Sequence, residues 1–556
     1  MRAEPGRAII YPAIILAGSL LFLPFLGKVA LFDWDEINFA EIAREMIVTG
    51  DYLNVQINYQ PFWEKPPLFI WMQVLSMKLF GVNEFAARFP NAIGGIITLL
   101  ILFEMGRKLY DHRMGLLWAL VYAGSVLPFF YFKSGIIDPW FNLFIFCGIY
   151  FFFKFQNQNL PISQSPNRPI FLSGLLIGLA ILTKGPVALL IFGIVVVSYL
   201  ILIKFRIRIK VTHILLFLAG MILTGGSWFM VQIAAGHADV VWDFIIYQVR
   251  LFSTKDAGHG GFPGYHIVVL LVGVFPASAF IFGGIKGSGQ ENPTQREWRR
   301  ICLILLLVVV ILFEIVQTKI IHYSSLAYFP LTFLAALSVY RYLQGEGTGL
   351  RTAKILLLVL TGIWTLALIT LTMAGLYKEA LINTGWIKDR FAMGNLQAAV
   401  NWTGAEAMVA LIIIIAMTAF FLIRKPMLKF IALFAGSTVF IFMTMFVFTG
   451  KIEGYTQRAA LDFYRHYGQE DCYISTLGFK SYAHLYYGKK QPGQNPLSYD
   501  KDWLLNGPID KPAYFVYKVT KKREYETIYP QLTILYEKNG FIFAARYPDN
   551  ESPLYD

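Results

Sequence analysis

The 556 residues contain only three cysteines; Cys147 and Cys302 stand inside apolar runs and Cys472 stands alone near the C-terminus. A disulfide framework and cysteine-based catalysis are therefore not expected. Charge is scarce as well, at 15% of residues against 56% hydrophobic, and the mean hydropathy is +0.54. That apolar surplus exceeds what one soluble core needs and marks a polytopic membrane protein. A phosphate-cradling glycine loop is missing, because GHGGFPG at 258–264 does not open a helix as a dinucleotide fingerprint would. No A-x-A-like cleavage site closes the first apolar run, so residues 10–30 are expected to stay as a first helix rather than leave as a signal peptide. The formal net charge of +13 is spread over short loops between apolar runs, where lysine and arginine set topology. The expected partner is a lipid bilayer and not a nucleic acid.

A yardstick of about twenty apolar residues per span places helices near 10–30, 86–106, 114–131, 138–155, 170–183, 186–203, 211–234, 265–285, 300–317, 323–340, 354–376, 405–423 and 428–449. The expectation is thus an α-helical polytopic membrane protein with about thirteen transmembrane helices. Basic residues favour alternate loops, among them KFRIRIK at 204–210 and RKPMLK at 424–429, which assigns those loops to the cytoplasm. Segments 32–85, 236–264 and 377–403 then face outward, as does the tail. The expected division is a membrane domain over 1–449 and a small outer α/β domain over 450–556, where CYIST, AYFVYK and FIFAARY read as strands. The polar linker QNQNLPISQSPNRP carries no expected chemistry.

Acid is concentrated directly after the first span, in FDWDEINFAEIAREM. Apolar residues at three- and four-residue spacing from Glu36 to Val48 predict a helix lying along the membrane surface, ended by Gly50 and Asp51. A second interfacial helix is expected after KPP at 65–67. Asp33, three residues before Glu36, reads as a helix N-cap of capping-box type, and Glu41 and Glu45 as a solvated face. Asp138 opens the fourth span at the same surface. Lys184 ends a span of about 21 Å, short of the hydrocarbon core, so its charge is expected below the outer surface, where an anion is its natural partner. Glu64, Lys65, Arg250, His259, His266, Lys319, His322 and Tyr323 fall on that side too. Together they imply an outward-facing cavity with carboxylates on one wall and cations on another, suited to acid–base chemistry on a lipid-linked phosphate.

DEINFAEIAREMIVTGDYL followed by FWEKPPL resembles the first outer loop of the GT-C glycosyltransferases related to protein O-mannosyltransferases, above all the lipid A 4-amino-4-deoxy-L-arabinose transferases. The similarity continues in order through Asp138, LTKGP, the His259 loop and TKIIHY, to about residue 335. It implies a GT-C fold and inverting transfer of a sugar from a polyprenyl-phosphate donor to a glycolipid, glycan or protein acceptor. It places the reaction and the C-terminal domain at the periplasmic face of the bacterial inner membrane. By the same resemblance Asp35 is the general base and Asp138 a second catalytic acid. Lys65, Lys184, Arg250, Tyr323 and Lys319 hold the donor phosphate, and Glu64 with His259 holds a divalent metal, zinc or magnesium. The chain departs from the aminoarabinose enzymes at Asn38 and Phe39, where they carry Arg-Tyr, and at Phe62 and Trp63, where they carry Tyr and Phe. The rival reading is a transporter or flippase of lipid-linked sugars, since buried charges also line transport pathways.

Overall fold

The computed structural model describes residues 7–157, 167–206, 209–253, 260–346, 350–493 and 495–548. Each expected span coincides with a helix or a pair of helices. The first is shorter than expected: it runs Arg7–Phe22, because Pro24 follows and Phe25 turns the chain with a φ of 62°. Among the described residues six helices are long and apolar enough to cross a membrane. The apolar pair Tyr265–Gly273 and Ala277–Ile285 is bent by 103° at its break, the geometry of a broken span or a re-entrant loop. The outward sides of the long helices expose large apolar residues such as Leu366, Ile415 and Leu422, so the chain is a multi-pass membrane protein. The expected linker falls almost wholly on 158–166, outside the described residues.

Close helix approach places the deepest charge. Asn167–Lys184 and Val211–Met221 pack through Gly174 and Gly220, where an added Cβ would collide with the facing backbone carbonyls of Phe217 and Phe171. Lys184 is carried at the end of that tightly packed pair.

The acidic helix spans Asp35–Thr49 and ends at Gly50 with a φ of 75°. Its polar face is not solvated. Glu41, Arg44 and Glu45 are buried, between a hairpin of the same loop and the C-terminal part of the chain. Glu41 pairs with Arg44 at 2.7 Å. Glu45 accepts the N–H groups of Asn58 (2.6 Å) and Tyr59 (2.8 Å), the two turn residues of the hairpin Gln56–Ile57/Gln60–Pro61, both at positive φ. Burial and the charge of Glu41 push the Glu45 carboxyl up to about 9. The periodicity of the helix was legible, but a buried charged face and a solvated one share the same pattern. The second helix of this loop spans Leu68–Phe80, starting after Pro66 and Pro67.

The last long helix, Pro426–Thr456, runs past the expected end at Thr449 and leads through Arg458–Tyr467 into a four-stranded sheet. The strand order is Tyr473–Leu477, Ala513–Lys518, Phe541–Arg546, Thr533–Lys538, the first pair parallel and the others antiparallel. Three of these strands are the runs recognisable in the sequence. This region grips the entry to the acidic helix: Leu31 N–H donates to the Tyr487 hydroxyl at 2.7 Å, and the Gln457 amide bonds both Leu31 O (2.7 Å) and Asp33 N (3.2 Å).

Candidate active site

A cavity of about 850 Å³ opens where the acidic helix, the membrane helices and the C-terminal region meet. Asp35, Asp138, Glu64, Lys65, Lys184, Arg250 and Tyr323, far apart in sequence, all line it. Asp35 is the first residue of its helix, and Asp138 the first residue of Asp138–Gln156, with Pro139 behind it. Both carboxylates therefore sit at the positive end of a helix dipole.

Their surroundings differ. The Lys184 Nζ lies 2.6 Å from Asp138 Oδ1, which supplies the anion expected for a cation at that depth, and Oδ2 is buried with no hydrogen-bond partner among the described residues. The neighbour of Asp35 is His322, with Nε2 at 3.8 Å from Oδ2, too far for a direct hydrogen bond. Asp35 keeps a side-chain exposure of 30%, so its oxygens face the cavity and are open to a ligand.

The cations form an arc. Lys184 lies over the rings of Phe141 and Tyr323 at 5.6 and 5.5 Å. Lys65 and Arg250 flank Tyr247, at 5.5 and 5.4 Å from its ring. Burial holds the Lys65 amine below its ordinary range, an effect that Glu64 opposes and Lys184 reinforces, so an arriving anion would stabilise its charge. Glu64 accepts from the Tyr247 hydroxyl (3.2 Å) and has the Lys480 ammonium 3.8 Å away.

Three expectations change. Asp33 is not the N-cap: the helix starts one position later, Trp34 occupies the cap without a side-chain bond, and Glu36 reaches back to Phe32 N instead (2.9 Å). Glu36 is a structural acid, buried against Arg88 at 2.7 Å and accepting from Gly135 N; burial resists its ionisation, but Arg88 and the two N–H groups outweigh that and hold it below the usual carboxylate range. Lys319 does not reach the cavity, because its ammonium caps the end of Pro293–Ile315 through Phe313 O (2.8 Å) and Glu314 O (2.7 Å). His266 is buried away from the cavity too. His259 lies outside the described residues, among which no group of three or more His, Cys, Asp or Glu could hold a metal.

Lys480 was not anticipated. It belongs to the C-terminal region, lines the cavity and lies over Trp34 at 5.3 Å; nothing local in its sequence marks it, since only the fold brings it there. Of the departures from the aminoarabinose pattern, Asn38, Phe39 and Phe62 line the cavity and Trp63 does not. The Asn38 side-chain oxygen is buried with no partner among the described residues.

The solved structure of ArnT from Cupriavidus metallidurans bound to undecaprenyl phosphate superimposes with a TM-score of 0.77 at 17% identity, over 99% of this chain and 100% of that one. The chain has the aminoarabinose transferase fold, of GT-C type. The apo form of the same Cupriavidus protein agrees, with a TM-score of 0.75 at 16% identity over 97% of this chain and 98% of that one. By sequence, residues 64–228 match the dolichyl-phosphate-mannose-protein mannosyltransferase family. The undecaprenyl phosphate-α-4-amino-4-deoxy-L-arabinose arabinosyl transferase of Pectobacterium carotovorum is 27% identical over 330 residues, 58% of this chain and 57% of that protein. That of Shewanella sediminis is 26% identical over 355 residues, 64% of each chain. The chain is thus similar in sequence to aminoarabinose transferases over less than two thirds of their length and shares their fold throughout. The resemblance read from the first loop holds.

Proposed function

We propose that the protein is an inverting glycosyltransferase that moves a sugar from a polyprenyl-phosphate donor to an acceptor hydroxyl or phosphate. The observation that carries this reading is one cavity in which an open carboxylate, Asp35, faces an arc of cations, Lys65, Lys184 and Arg250. For a hydroxyl acceptor, Asp35 takes the proton as the acceptor oxygen attacks the anomeric carbon. The new carbon–oxygen bond forms while the bond to the carrier phosphate breaks on the opposite face, through an oxocarbenium-like state. Charge grows on the departing polyprenyl phosphate, where the cations and the Tyr323 hydroxyl stabilise it. Asp138 holds Lys184 in place for that task. Undecaprenyl phosphate, bound by the Cupriavidus protein, is the carrier we propose.

The same reading places the protein in the bacterial inner membrane, with thirteen spans and with the cavity and the 450–556 region on the periplasmic side. Asn38 and Phe62, polar and apolar replacements inside the cavity, point to a sugar or acceptor that differs from aminoarabinose and lipid A. A divalent ion held by Glu64 and His259 would add positive charge beside the leaving phosphate. Loss of transfer on chelation, restored by zinc, supports that ion, and full activity after metal depletion removes it. No observation favours the transporter.

Mass spectrometry of lipid and protein extracts from cells with and without the chain tests the proposal. One sugar mass added to an acceptor only when the chain is present is the expected result. Redistribution of polyprenyl-phosphate sugars across the membrane without a covalent product would replace the transferase with a flippase.

A further inference from the structure

A base that takes a proton in every cycle must also lose one. Once Asp35 has accepted the proton of an acceptor hydroxyl it is a neutral acid, and the next cycle needs the carboxylate back. The imidazole of His322 stands beside it: Nε2 is 3.8 Å from Asp35 Oδ2, and both residues line the central cavity. A shift of about 1 Å closes that gap to hydrogen-bonding distance, the kind of tightening that accompanies filling of a site by its substrate. The family resemblance gives His322 no role.

The ring is held where it can act on Asp35. It belongs to the turn Ile321–Ala327, and the Ser325 hydroxyl donates to the backbone carbonyl of His322 while accepting from the Asn142 amide at 2.7 Å. Asn142 lies about one turn beyond Asp138 on the same helix, so the element that carries the second carboxylate also anchors the His322 backbone. The ring packs edge-on against Tyr323 with centroids 5.3 Å apart, and the Lys184 ammonium lies 5.5 Å from the other aromatic of this pair, Tyr323. Two carboxylates, Asp35 and Asp138, and two ammonium groups, Lys184 and Lys65, act on the imidazole through space from the elements around it. Opposite charges thus surround a group that exchanges protons near neutral pH.

We infer that His322 is the proton relay of this site: Asp35 takes the proton from the acceptor hydroxyl and passes it to His322 Nε2, which becomes an imidazolium as the Asp35 carboxylate is restored. The resting ring then carries its hydrogen on Nδ1, leaving Nε2 free to accept. The direction follows from ordinary proton affinities, since an imidazole holds its proton to a pH of about 6.5 and an aspartic acid to about 3.9. The imidazolium returns the proton to water in the cavity, onto which its side chain is 19% exposed. This inference rests on the transferase reading and adds a second proton-handling residue to it.

The full chain in nanodiscs, supplied with a membrane extract of cells that lack it as the source of donor and acceptor, tests this by the rate of sugar transfer in mass spectrometry. His322→Ala and His322→Gln should each lower transfer about 100-fold, the lower end of the range for a proton-transfer group. Retention of undecaprenyl phosphate in native mass spectrometry should stay unchanged in both. Glutamine can still donate a hydrogen bond to Asp35 but cannot carry its proton away. The anchoring bond is made to the backbone of His322, which both variants keep, so they fold. Imidazole added to His322→Ala should raise transfer about tenfold, whereas pyrazole, of the same shape but hardly basic, should not. Near-native transfer by His322→Gln reduces the residue to a hydrogen-bonding prop and overturns the inference. So does rescue by pyrazole equal to that by imidazole, which marks a packing role, or rescue by neither. Loss of undecaprenyl phosphate retention in step with transfer moves His322 to donor binding and overturns it as well. A native chain that transfers no sugar breaks the transferase reading itself, and the relay with it, before any variant is compared.

Discussion

The two ends of the acidic helix use the same residue types to opposite purpose. At the N-terminal end Asp35 faces an open cavity, with the His322 imidazole at 3.8 Å. One position on, Glu36 is saturated by Arg88 and two backbone N–H groups. Two turns later Glu41, Arg44 and Glu45 are sealed beneath the C-terminal region. The difference teaches that satisfaction of hydrogen-bonding capacity, rather than acidity or burial alone, separates a reactive carboxylate from a structural one. A carboxylate whose oxygens are all engaged has no lone pair left for a substrate proton.

Substitutions at these positions can break the comparison. The largest effect is expected at Asp35: Asp35→Asn should lower transfer by roughly two to four orders of magnitude, the range for a general base, while leaving the unfolding temperature of the detergent-solubilised protein intact. Substantial transfer by this variant would remove the assignment. Arg88→Ala should instead act on folding. It strands Glu36 as an unpaired buried charge and breaks three bonds from Arg88 to the carbonyls of Leu26, Val29 and Ala30, at a cost of about 3–5 kcal/mol. A stable Arg88→Ala protein that is merely inactive would move this pair from structure to chemistry.

A smaller effect is expected at Glu45 and depends on pH. Its carboxyl, ordinarily at 4.5, is raised to about 9 in the folded protein, so between those values the folded state holds a proton that the unfolded state has released. Stability from this group is therefore complete below pH 4.5 and falls as pH rises toward 9. Glu45→Gln should flatten the decline of melting temperature between those limits, and an unchanged slope would show that Glu45 is ionised in its seam. Least affected should be Asp33→Asn. The Gln457 contact is made to the backbone of Asp33, and its side chain has Ser481 as a hydrogen-bonding neighbour, a contact an amide can keep. Transfer within about a few-fold of native is expected for such a replacement. A drop comparable to that of Asp35→Asn would make Asp33 part of the acid–base machinery.

The amino-acid sequence by itself determined the class of molecule, the positions of the helices and much of the cavity. Long apolar runs have no other stable backbone in a bilayer than a helix. The start of the acidic helix was legible to within one residue, its end at Gly50 was legible outright, Asp138 and Lys184 stood out as charges at the ends of apolar runs, and Asp35 stood out through the family resemblance of its loop. Local pattern and hydropathy carry that information because it depends on neighbours within a few residues. Only the tertiary structure decided what each charge is paired with. It sent Lys319 to a helix end, gave Glu36 to Arg88, sealed Glu41 and Glu45 beneath the C-terminal region and brought Lys480 to Glu64. A charge interacts through space with whatever the fold places within a few ångströms, and for Glu64 and Lys480 those partners stand hundreds of residues apart along the chain.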